Sequence, residues 1–300
     1  MDWSKNRAIA LGFFDGVHRG HQALLEYTRE HGYMSGLRPT VLSFDTHPEN
    51  MVTGETVQLI NTPYDRERLI KRVAGIEDVV FLHFDEMLMK MEWDRFIQWL
   101  YDDFNARYLV AGFDFRFGYK GAGNAEKLCE KCEELNIGCK IIDKVTFDGV
   151  KISSSIIREL LTDGEVQLAN KYLGHPHTLT DVVRYGYRFG RTLGLPTVNM
   201  RIPAGVVVPK RGVYSAMAYL ESGEARMAVT NIGTRPTVSD GSEDVTVESH
   251  LLDFSGDLYG QRVRLELYNY VRPETKFHDP EELKNQVHRD IHVTRTFFNK

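Results

Sequence analysis

The sequence predicts an α/β domain built on a parallel sheet, followed by a small antiparallel β-barrel domain with a C-terminal helix. Two observations support this fold class. In the first half, short continuous apolar runs alternate with segments whose apolar residues recur every three or four positions, which is typical of buried parallel strands connected by helices. In the second half, strand-like runs are separated by turns that contain Gly, Pro and Ser, which is typical of antiparallel barrels.

Five strands and the helices between them account for the first half of the chain. The predicted strands are the continuous apolar runs at 8–11, 40–44, 79–84, 108–113 and 140–145. The predicted helices are the periodic segments 22–30, 64–73, 93–104 and 125–135. Two short helices complete this half, one led by Ser153 and one that ends near Gly174. Sheets of this kind bind their ligands at the carboxyl ends of the strands.

The second half is predicted to form the barrel. Its strands are expected at 178–185, 212–220, 226–231, 245–254 and 262–271, because turn-forming residues separate these runs. A final helix is expected to begin at Asp279-Pro280, since Asp is a favoured cap and Pro a favoured first residue. The change of pattern near His175-Pro176-His177 predicts two domains, 1–174 and 175–300.

Composition limits the possible classes of function. Of 300 residues, 42% are hydrophobic and 26% are charged, which is typical of a folded globular protein and argues against disorder. The formal net charge of -5 gives no overall positive field to attract nucleic acid or an anionic membrane. The sequence has no apolar run of about 18 residues and begins without a secretory signal pattern. Its three cysteines fit a reducing compartment. We therefore expect a cytoplasmic protein without nucleic-acid or membrane partners.

The first candidate site lies at residues 12–21, Gly-Phe-Phe-Asp-Gly-Val-His-Arg-Gly-His, between the first strand and the first helix. The start of a helix points backbone N–H groups and the positive end of the helix dipole into the ligand crevice, which suits an anion. His18 and His21 are three residues apart and can reach one phosphate. Gly20 leaves room for a nucleotide against the backbone. An isolated pair of this kind is more often a helix cap with two surface histidines, but the strand–helix context favours phosphate chemistry.

This segment resembles the His-x-Gly-His signature of the nucleotidylyltransferase superfamily, in the form found in FAD synthetases. Three further segments match that family in the order that it requires. They are Phe-Asp-Thr-His-Pro at 44–48, Gly-Phe-Asp-Phe-Arg-Phe-Gly at 112–118 and Ile-Ser-Ser-Ser-Ile-Ile-Arg at 152–158. The resemblance implies a Rossmann-like nucleotidylyltransferase domain that transfers the adenylyl group of ATP to FMN.

The resemblance also implies roles for residues of the first half. His18 and His21 would be catalytic, and the flavin would be bound by His47, Asp114 and Arg116. ATP would be bound by Gly12, Phe14, Asp15, Gly20, Ser153, Ser154, Ser155 and Arg158. Considered alone, the serines would be an ordinary helix cap, and Asp114 with Arg116 a surface ion pair. Phe13 stands where the family usually has Asn, so we expect adenylyl transfer to be slowed or altered.

The second candidate site begins at residues 190–199, Gly-Arg-Thr-Leu-Gly-Leu-Pro-Thr-Val-Asn. A loop flanked by glycines brings backbone close to phosphate, and the oxygens of Thr197 and Asn199 suit Mg²⁺, a hard cation. Alone, the Pro-Thr-Val-Asn stretch would be a turn before a strand, with both polar side chains in local hydrogen bonds. The absence of any Gly-Lys dipeptide excludes a Walker-type phosphate loop.

Residues 190–199, together with 247–254, 257–260 and 270–277, resemble the riboflavin kinases. The resemblance implies that Thr197 and Asn199 bind Mg²⁺ and ATP phosphates, and that Glu248 is the base toward the ribityl 5′-hydroxyl of riboflavin. It also implies ATP contacts at Gly190, Arg191 and Gly194, and flavin contacts at Arg272, Glu274 and Phe277. A carboxylate suits the role of base because it can accept the hydroxyl proton. Considered alone, strand alternation would put Glu248 on a solvated face.

Together the two halves resemble the bacterial bifunctional riboflavin kinase/FMN adenylyltransferases. The expected substrates are riboflavin, FMN and ATP, with Mg²⁺ as cofactor. The expected products are FMN and FAD, with release of pyrophosphate in the second reaction. Two alternatives stay open: a monofunctional riboflavin kinase with an impaired first half, as Phe13 suggests, and a flavin-binding protein without catalysis. The sequence leaves the oligomeric state open.

Overall fold

The structure is a computed structural model, and it describes residues 4–54, 56–186, 190, 193–236, 243–277 and 279–299. The chain divides into two compact units, Met1–Ser154 and Ser155–Lys300. An α/β unit comes first and an antiparallel barrel with a terminal helix follows, so the predicted fold class is confirmed. No helix in the described ranges is long and apolar enough to cross a membrane.

A five-stranded parallel sheet forms the first unit, with the strand order β3-β2-β1-β4-β5. Its strands are β1 (Arg7–Leu11), β2 (Arg38–Phe44), β3 (Asp78–Leu82), β4 (Ala106–Gly112) and β5 (Gly138–Ile142). Its helices are α1 (Arg19–Met34), α2 (Pro48–Thr53), α3 (Pro63–Ala74), α4 (Glu86–Met89), α5 (Trp93–Asp103) and α6 (Ala125–Glu134). A hairpin of β6 (Thr146–Phe147) and β7 (Val150–Lys151) follows the sheet.

Strand β1 lies at the centre of this sheet and is buried along its whole length. Ile9 and Leu11 belong to a core cluster with residues of α5 and α6, whereas Ala10 packs with residues of α1 and α3. A strand that is covered on both faces has no polar side, which explains the continuous apolar run that predicted it. Leu11 pairs with Leu42 of β2 and Ala111 of β4, so the loops after these three strands leave from the same edge.

The second unit is a six-stranded antiparallel sheet with the order β8-β13-β10-β11-β12-β9. Its strands are β8 (His177–Val182), β9 (Val198–Arg201), β10 (Gly212–Tyr219), β11 (Ala225–Pro236), β12 (Glu243–Leu251) and β13 (Arg262–Arg272). Its helices are α7 (Ser154–Asp163), α8 (Val166–Leu173) and α9 (Pro280–Phe298). A bridge between Arg184 and Asn199 joins the two edges, so the barrel is nearly closed.

Helix α8 is part of the second unit because Asn170 hydrogen-bonds to two of its strands. The Asn170 amide donates to Leu267 O of β13 (2.8 Å) and accepts from His177 N of β8 (2.7 Å). The contacts therefore divide the chain before α7 and α8, whereas the change of sequence pattern falls after them. The assignment of 1–174 and 175–300 to two activities stays a prediction.

His177, at the start of β8, is fully buried, and within the described residues neither of its ring nitrogens has a hydrogen-bond partner. Burial, and to a smaller extent the nearby charge of His175, lowers the pKa of His177 to about 3. The folded unit therefore keeps a neutral imidazole over a pH range in which the unfolded chain binds a proton. The free energy of unfolding is therefore largest above the ordinary histidine pKa. It decreases as the pH falls toward about 3, because the unfolded chain gains a proton that the folded unit does not bind.

We expect His177→Leu to reduce the acid sensitivity of the second unit. Between about pH 7.5 and about pH 5, the wild-type unit should lose about 2 kcal/mol of unfolding free energy more than the variant does. Urea unfolding at the two pH values measures this difference. His288→Leu, at an exposed position of α9, is the control and should behave as the wild type. An unchanged acid dependence in His177→Leu would contradict the expectation.

Candidate active sites

A strained turn connects β1 to α1. Phe14, Gly16 and Val17 have positive φ angles of 58°, 76° and 43°, a region that β-branched and bulky residues rarely adopt. The Asp15 carboxylate is buried within the turn and accepts a hydrogen bond from Ile60 N at 2.9 Å. This carboxylate, predicted to contact ATP, therefore holds the turn against the segment that precedes α3. Backbone strain of this kind is typical of ligand-binding sites.

The turn presents His18 and His21 as a stacked pair. His18 is the N-cap of α1, and its Nδ1 accepts a hydrogen bond from His21 N at 3.3 Å. The ring centroids are 3.6 Å apart with an interplanar angle of 13°. A Cβ on Gly20 would lie 3.1 Å from the His18 ring, so glycine here makes room for that imidazole. Burial, followed by the charges of His18 and Arg66, keeps the pKa of His21 well below its ordinary value.

A cavity of about 230 Å³ lies beside the two histidines. The predicted site residues that line it are His18, Gly20, His21, Asp114, Ser153 and Ser154. Two lysines, Lys144 and Lys151, also line the cavity and could face the charge of a polyphosphate. Ser154, the last residue of the first unit, donates from its Oγ to Asp15 O at 3.0 Å, which ties the serine segment to the β1–α1 turn. The structure thus brings together the histidine and serine segments that sequence predicted separately.

Asp114 and Arg116, both predicted to bind the flavin, follow β4 and are exposed. Asp114 lines the cavity and forms an ion pair with Lys151 of β7 at 3.1 Å. The Lys151 ammonium also lies 4.7 Å from the centre of the Phe113 ring. Arg116 does not line this cavity. Asp114 thus pairs with a lysine of the β6–β7 hairpin, and the binding of flavin by Asp114 and Arg116 stays a prediction.

His47 lies outside the cavity, at the N-cap of α2. Its ring meets the Phe13 ring edge-on, with the centroids 4.5 Å apart. Phe13 thus faces the loop after β2, and it is not one of the residues that line the cavity of the two histidines. The same holds for Gly12, whose N–H donates to Leu42 O of β2 at 3.3 Å, and for Phe14, which is buried. Ser155 and Arg158 lie on α7 within the second unit, and their contact with ATP stays a prediction.

The second unit contains a cavity of about 340 Å³ that is lined by residues of the strands β9 to β13, of the loops beside them and of helix α9. Glu248 of β12 pairs across the sheet with Asn199 of β9 on one side and with Asn231 of β11 on the other. Side chains directly opposite each other in an antiparallel sheet lie on the same face. All three residues line the cavity, together with Thr197. Glu248 is half-buried, and its face of β12 forms part of the cavity wall rather than an open surface of the barrel.

The loop before β9 packs closely on Asn199. A Cβ on Gly186 would overlap the side-chain amide of Asn199, so only glycine fits there without displacement. Gly190 lines the cavity, and its carbonyl accepts a hydrogen bond from Leu195 N at 2.8 Å. Of the other predicted ATP contacts, Gly194 does not line the cavity, and Arg191 lies outside the described residues.

His250 of β12, two residues after Glu248, was not assigned a role from sequence. It lines the cavity, and its Nδ1 lies 2.8 Å from Pro196 O. Because a carbonyl oxygen only accepts hydrogen bonds, this contact places the proton on Nδ1. The ring thereby fixes the loop that carries Thr197 against β12.

Arg272, Glu274 and Phe277, predicted to bind the flavin, all line the second cavity. The Arg272 guanidinium is engaged by Asp290 of α9, with Nε and Nη2 at 2.8–3.1 Å from the carboxylate oxygens. Asp290 is buried and also accepts from Gln286. Sequence did not identify Asp290, because only folding brings α9 to the end of β13. The apolar lining suits a flat ring and consists of Leu193, Leu195, Val213, Val229, Leu283 and Val287.

Comparison with known proteins finds one family model for each half of the chain. The family model described as FAD synthetase matches residues 2–156, and the one described as riboflavin kinase matches residues 173–298. These matches define the class as a two-domain protein with an FAD synthetase domain followed by a riboflavin kinase domain.

The relatives cover both domains. The bifunctional riboflavin kinase/FMN adenylyltransferase of Listeria monocytogenes is 34% identical over 100% of this chain and 95% of its own length. The protein of the same description from Escherichia coli K12 is 36% identical over 97% and 92%. The chain therefore belongs to the family of bifunctional riboflavin kinase/FMN adenylyltransferases, which confirms the resemblance stated from sequence.

A solved structure supports the fold. A crystal structure described as a macrolide-efflux protein from Streptococcus pneumoniae covers 97% of this chain and 94% of its own, with a TM-score of 0.85 and 30% identity. That description applies to the pneumococcal protein, and the likeness concerns the fold of the whole chain.

The environments of His21 and His83 shift the pKa values of these two histidines in opposite directions. His21 should remain neutral at a pH where an ordinary histidine is half protonated, because burial lowers its pKa. His83 should remain charged to higher pH, because its Nδ1 lies 2.8 Å from the Asp45 carboxylate, which raises the pKa of His83. NMR titration of the imidazole resonances, assigned with single substitutions, measures both values.

Asp45→Asn is the matched control, since it removes the charge beside His83 and leaves the ring in place. In this variant the pKa of His83 should return toward its ordinary value, and that of His21 should stay low. A His21 that titrates with the exposed histidines would contradict the buried environment described here.

Proposed function

We propose that the protein catalyses two ATP-dependent reactions, the phosphorylation of riboflavin to FMN and the adenylylation of FMN to FAD. The observation that carries this proposal is that each unit has its own cavity with its own set of predicted catalytic groups. His18 and His21 line the cavity of the first unit. Glu248, Thr197 and Asn199 line that of the second. Family membership supports both activities.

In the second unit, Glu248 would take the proton of the ribityl 5′-hydroxyl. The hydroxyl oxygen then bonds to the γ-phosphorus of ATP, the bond from that phosphorus to the β–γ bridging oxygen breaks, and ADP leaves. A carboxylate positioned for this transfer is the usual base in kinases. The neighbouring amides of Asn199 and Asn231 would orient substrate oxygens, and the apolar wall would hold the flavin ring.

The donor set of this cavity fits Mg²⁺. Thr197 and Asn199 offer a hydroxyl and an amide oxygen, which are hard ligands of the kind that Mg²⁺ accepts. Among the described residues no cluster of three or more His, Cys, Asp or Glu could hold a metal ion, and Mg²⁺ commonly binds through few protein ligands together with substrate phosphates. When bound, it would offset phosphate charge during transfer.

In the first unit, an FMN phosphate oxygen would attack the α-phosphorus of ATP. The bond from that phosphorus to the α–β bridging oxygen breaks, and pyrophosphate leaves. The N–H groups at the start of α1 and the imidazoles of His18 and His21 would donate hydrogen bonds to the phosphate oxygens, where negative charge increases. Because His21 is neutral at physiological pH, it would act as a hydrogen-bond donor rather than as a fixed cation. Lys144 and Lys151 would face the leaving pyrophosphate.

We expect His21→Ala to abolish FAD formation and to leave FMN formation unchanged. The substitution removes one donor from the phosphate site of the first unit, a loss of about 10²–10³-fold in comparable sites. Chromatography of riboflavin, FMN and FAD after incubation with Mg-ATP measures both steps in one sample. His31→Ala, on the same helix, is the control and should retain both activities. Loss of both activities in a folded His21→Ala would contradict two separate sites.

We expect Glu248→Gln to stop riboflavin phosphorylation while FMN supplied from outside is still converted to FAD. Glutamine keeps the shape of the side chain but cannot accept the hydroxyl proton, and general-base catalysis is worth about 10²–10⁴-fold. Unchanged riboflavin turnover would remove Glu248 from this role.

A wild-type protein that forms FMN but never FAD would favour the monofunctional kinase. Flavin binding without ATP consumption would favour the non-catalytic alternative.

A further inference from the structure

Arg66 of α3 is a fully buried arginine in the first unit that sequence patterning did not single out. Its Nη1 donates to Phe13 O at 2.7 Å and its Nη2 donates to Phe44 O at 2.5 Å. Phe13 is in the segment between β1 and α1, and Phe44 is the last residue of β2. One planar guanidinium thus joins the carboxyl ends of two neighbouring strands.

Aromatic rings hold the guanidinium in place. Its central carbon lies 4.2 Å from the centre of the Phe13 ring and 4.9 Å from that of Phe81 on β3. Phe13 in turn contacts the His47 ring. The position of Arg66 is therefore fixed by residues of three adjacent strands, β1, β2 and β3, or of the loops that follow them.

We propose that Arg66 is a positioning residue for adenylyl transfer, which holds the loop of His18 and His21 at a fixed distance from the loop of His47. The inference rests on the function proposed above and concerns the same site. Arg66 does not line the cavity of the two histidines. It would therefore not contact the reacting atoms. It acts through the two carbonyl groups and through the Phe13 ring.

The cost of burying this cation supports a role in positioning. Burial lowers the pKa of Arg66 to about 10, against the opposing effect of the Asp15 and Asp45 carboxylates. Buried ionic groups often stabilise a fold no better than apolar residues of similar size, and they are retained where they specify a geometry. A Lys cannot replace the planar fork between two carbonyl oxygens.

The Arg66 charge also reaches the catalytic pair. It is one of the causes of the low pKa of His21, after burial and His18. The other charged groups at this cavity are Asp114, Asp143, Lys144 and Lys151. Removing the Arg66 cation should make His21 easier to protonate, so the acid limb of the pH profile for FAD formation should move to higher pH. A role confined to stability would lower the rate without moving this limb.

The test compares Arg66→Met, Arg66→Lys and the control Arg68→Met, which alters an exposed arginine of the same helix. Initial rates of FAD formation from FMN and Mg-ATP are measured against FMN concentration and pH. FMN formation from riboflavin and thermal unfolding are measured on the same full-length preparations. Wild-type protein is assayed first, because its failure to form FAD would refute the proposed function and not this inference.

We expect Arg66→Met to lower kcat/KM for FMN on the order of 10²-fold, the effect of misplacing a reactant by about 1 Å, and to move the acid limb upward. Arg66→Lys should lose about tenfold, because it keeps the charge without the fork, and should keep the wild-type pH profile. Arg68→Met should match the wild type, and all three should form FMN normally.

Wild-type kcat/KM and an unmoved acid limb in a folded Arg66→Met would overturn the proposal. If that variant does not fold, Arg66→Lys decides alone. FAD formation at the wild-type rate in Arg66→Lys would overturn the proposal, since one ammonium group cannot hold both carbonyls. A reduced rate of FAD formation with normal melting and normal FMN formation would support it.

Discussion

The left-handed turn between β1 and α1 is the constraint on which the first site depends. Phe14 and Val17 adopt positive φ angles although neither is glycine, and such conformations cost about 1–3 kcal/mol each. Buried hydrogen bonds from Ile60 N to the Asp15 carboxylate offset part of this cost, because bonds to a charged acceptor are stronger than neutral ones. The turn places His18 at the N-cap of α1, where it can stack on His21.

The second site is built differently. Its central residues lie on three adjacent antiparallel strands, and the backbone ladder alone sets Asn199, Glu248 and Asn231 side by side. Such a row needs no strained turn, because the register of the ladder determines which side chains share a face. Helix α9 then completes the cavity, and the ion pair of Asp290 with Arg272 fixes it against the end of β13.

Buried charges have related roles in the two units. In the first unit Arg66 donates to two carbonyl groups, and in the second Asp290 accepts from Arg272 and Gln286. Arg66 does not line the first cavity but contacts the segment after β1 and the end of β2, whereas Asp290 lines the second cavity. Both charges fix the geometry of loops and helices around a site, which packing of apolar side chains alone does less specifically.

The strands with continuous apolar runs could be predicted because a strand that is buried on both faces needs apolar residues at consecutive positions, as in β1. Strand β9 (Val198–Arg201) was not among the predicted strands, because it is only four residues long and its structure comes from pairing with β12. The histidine and serine motifs could be found because their chemistry is carried by local spacing. Arg66 and Asp290 gave no such signal, because an arginine or aspartate on an amphipathic helix is usually exposed.

The sequence by itself determined the order of an α/β domain and a barrel, the family, and the segments that carry the two sites. These features depend on local pattern, which survives without knowledge of the fold. Only the tertiary structure decided that Asp15 supports a turn, that Asp114 pairs with Lys151, and that Arg272 binds Asp290. Each of these contacts joins residues far apart in the chain, and a hydrogen bond or ion pair forms only where folding brings its two partners within about 3 Å.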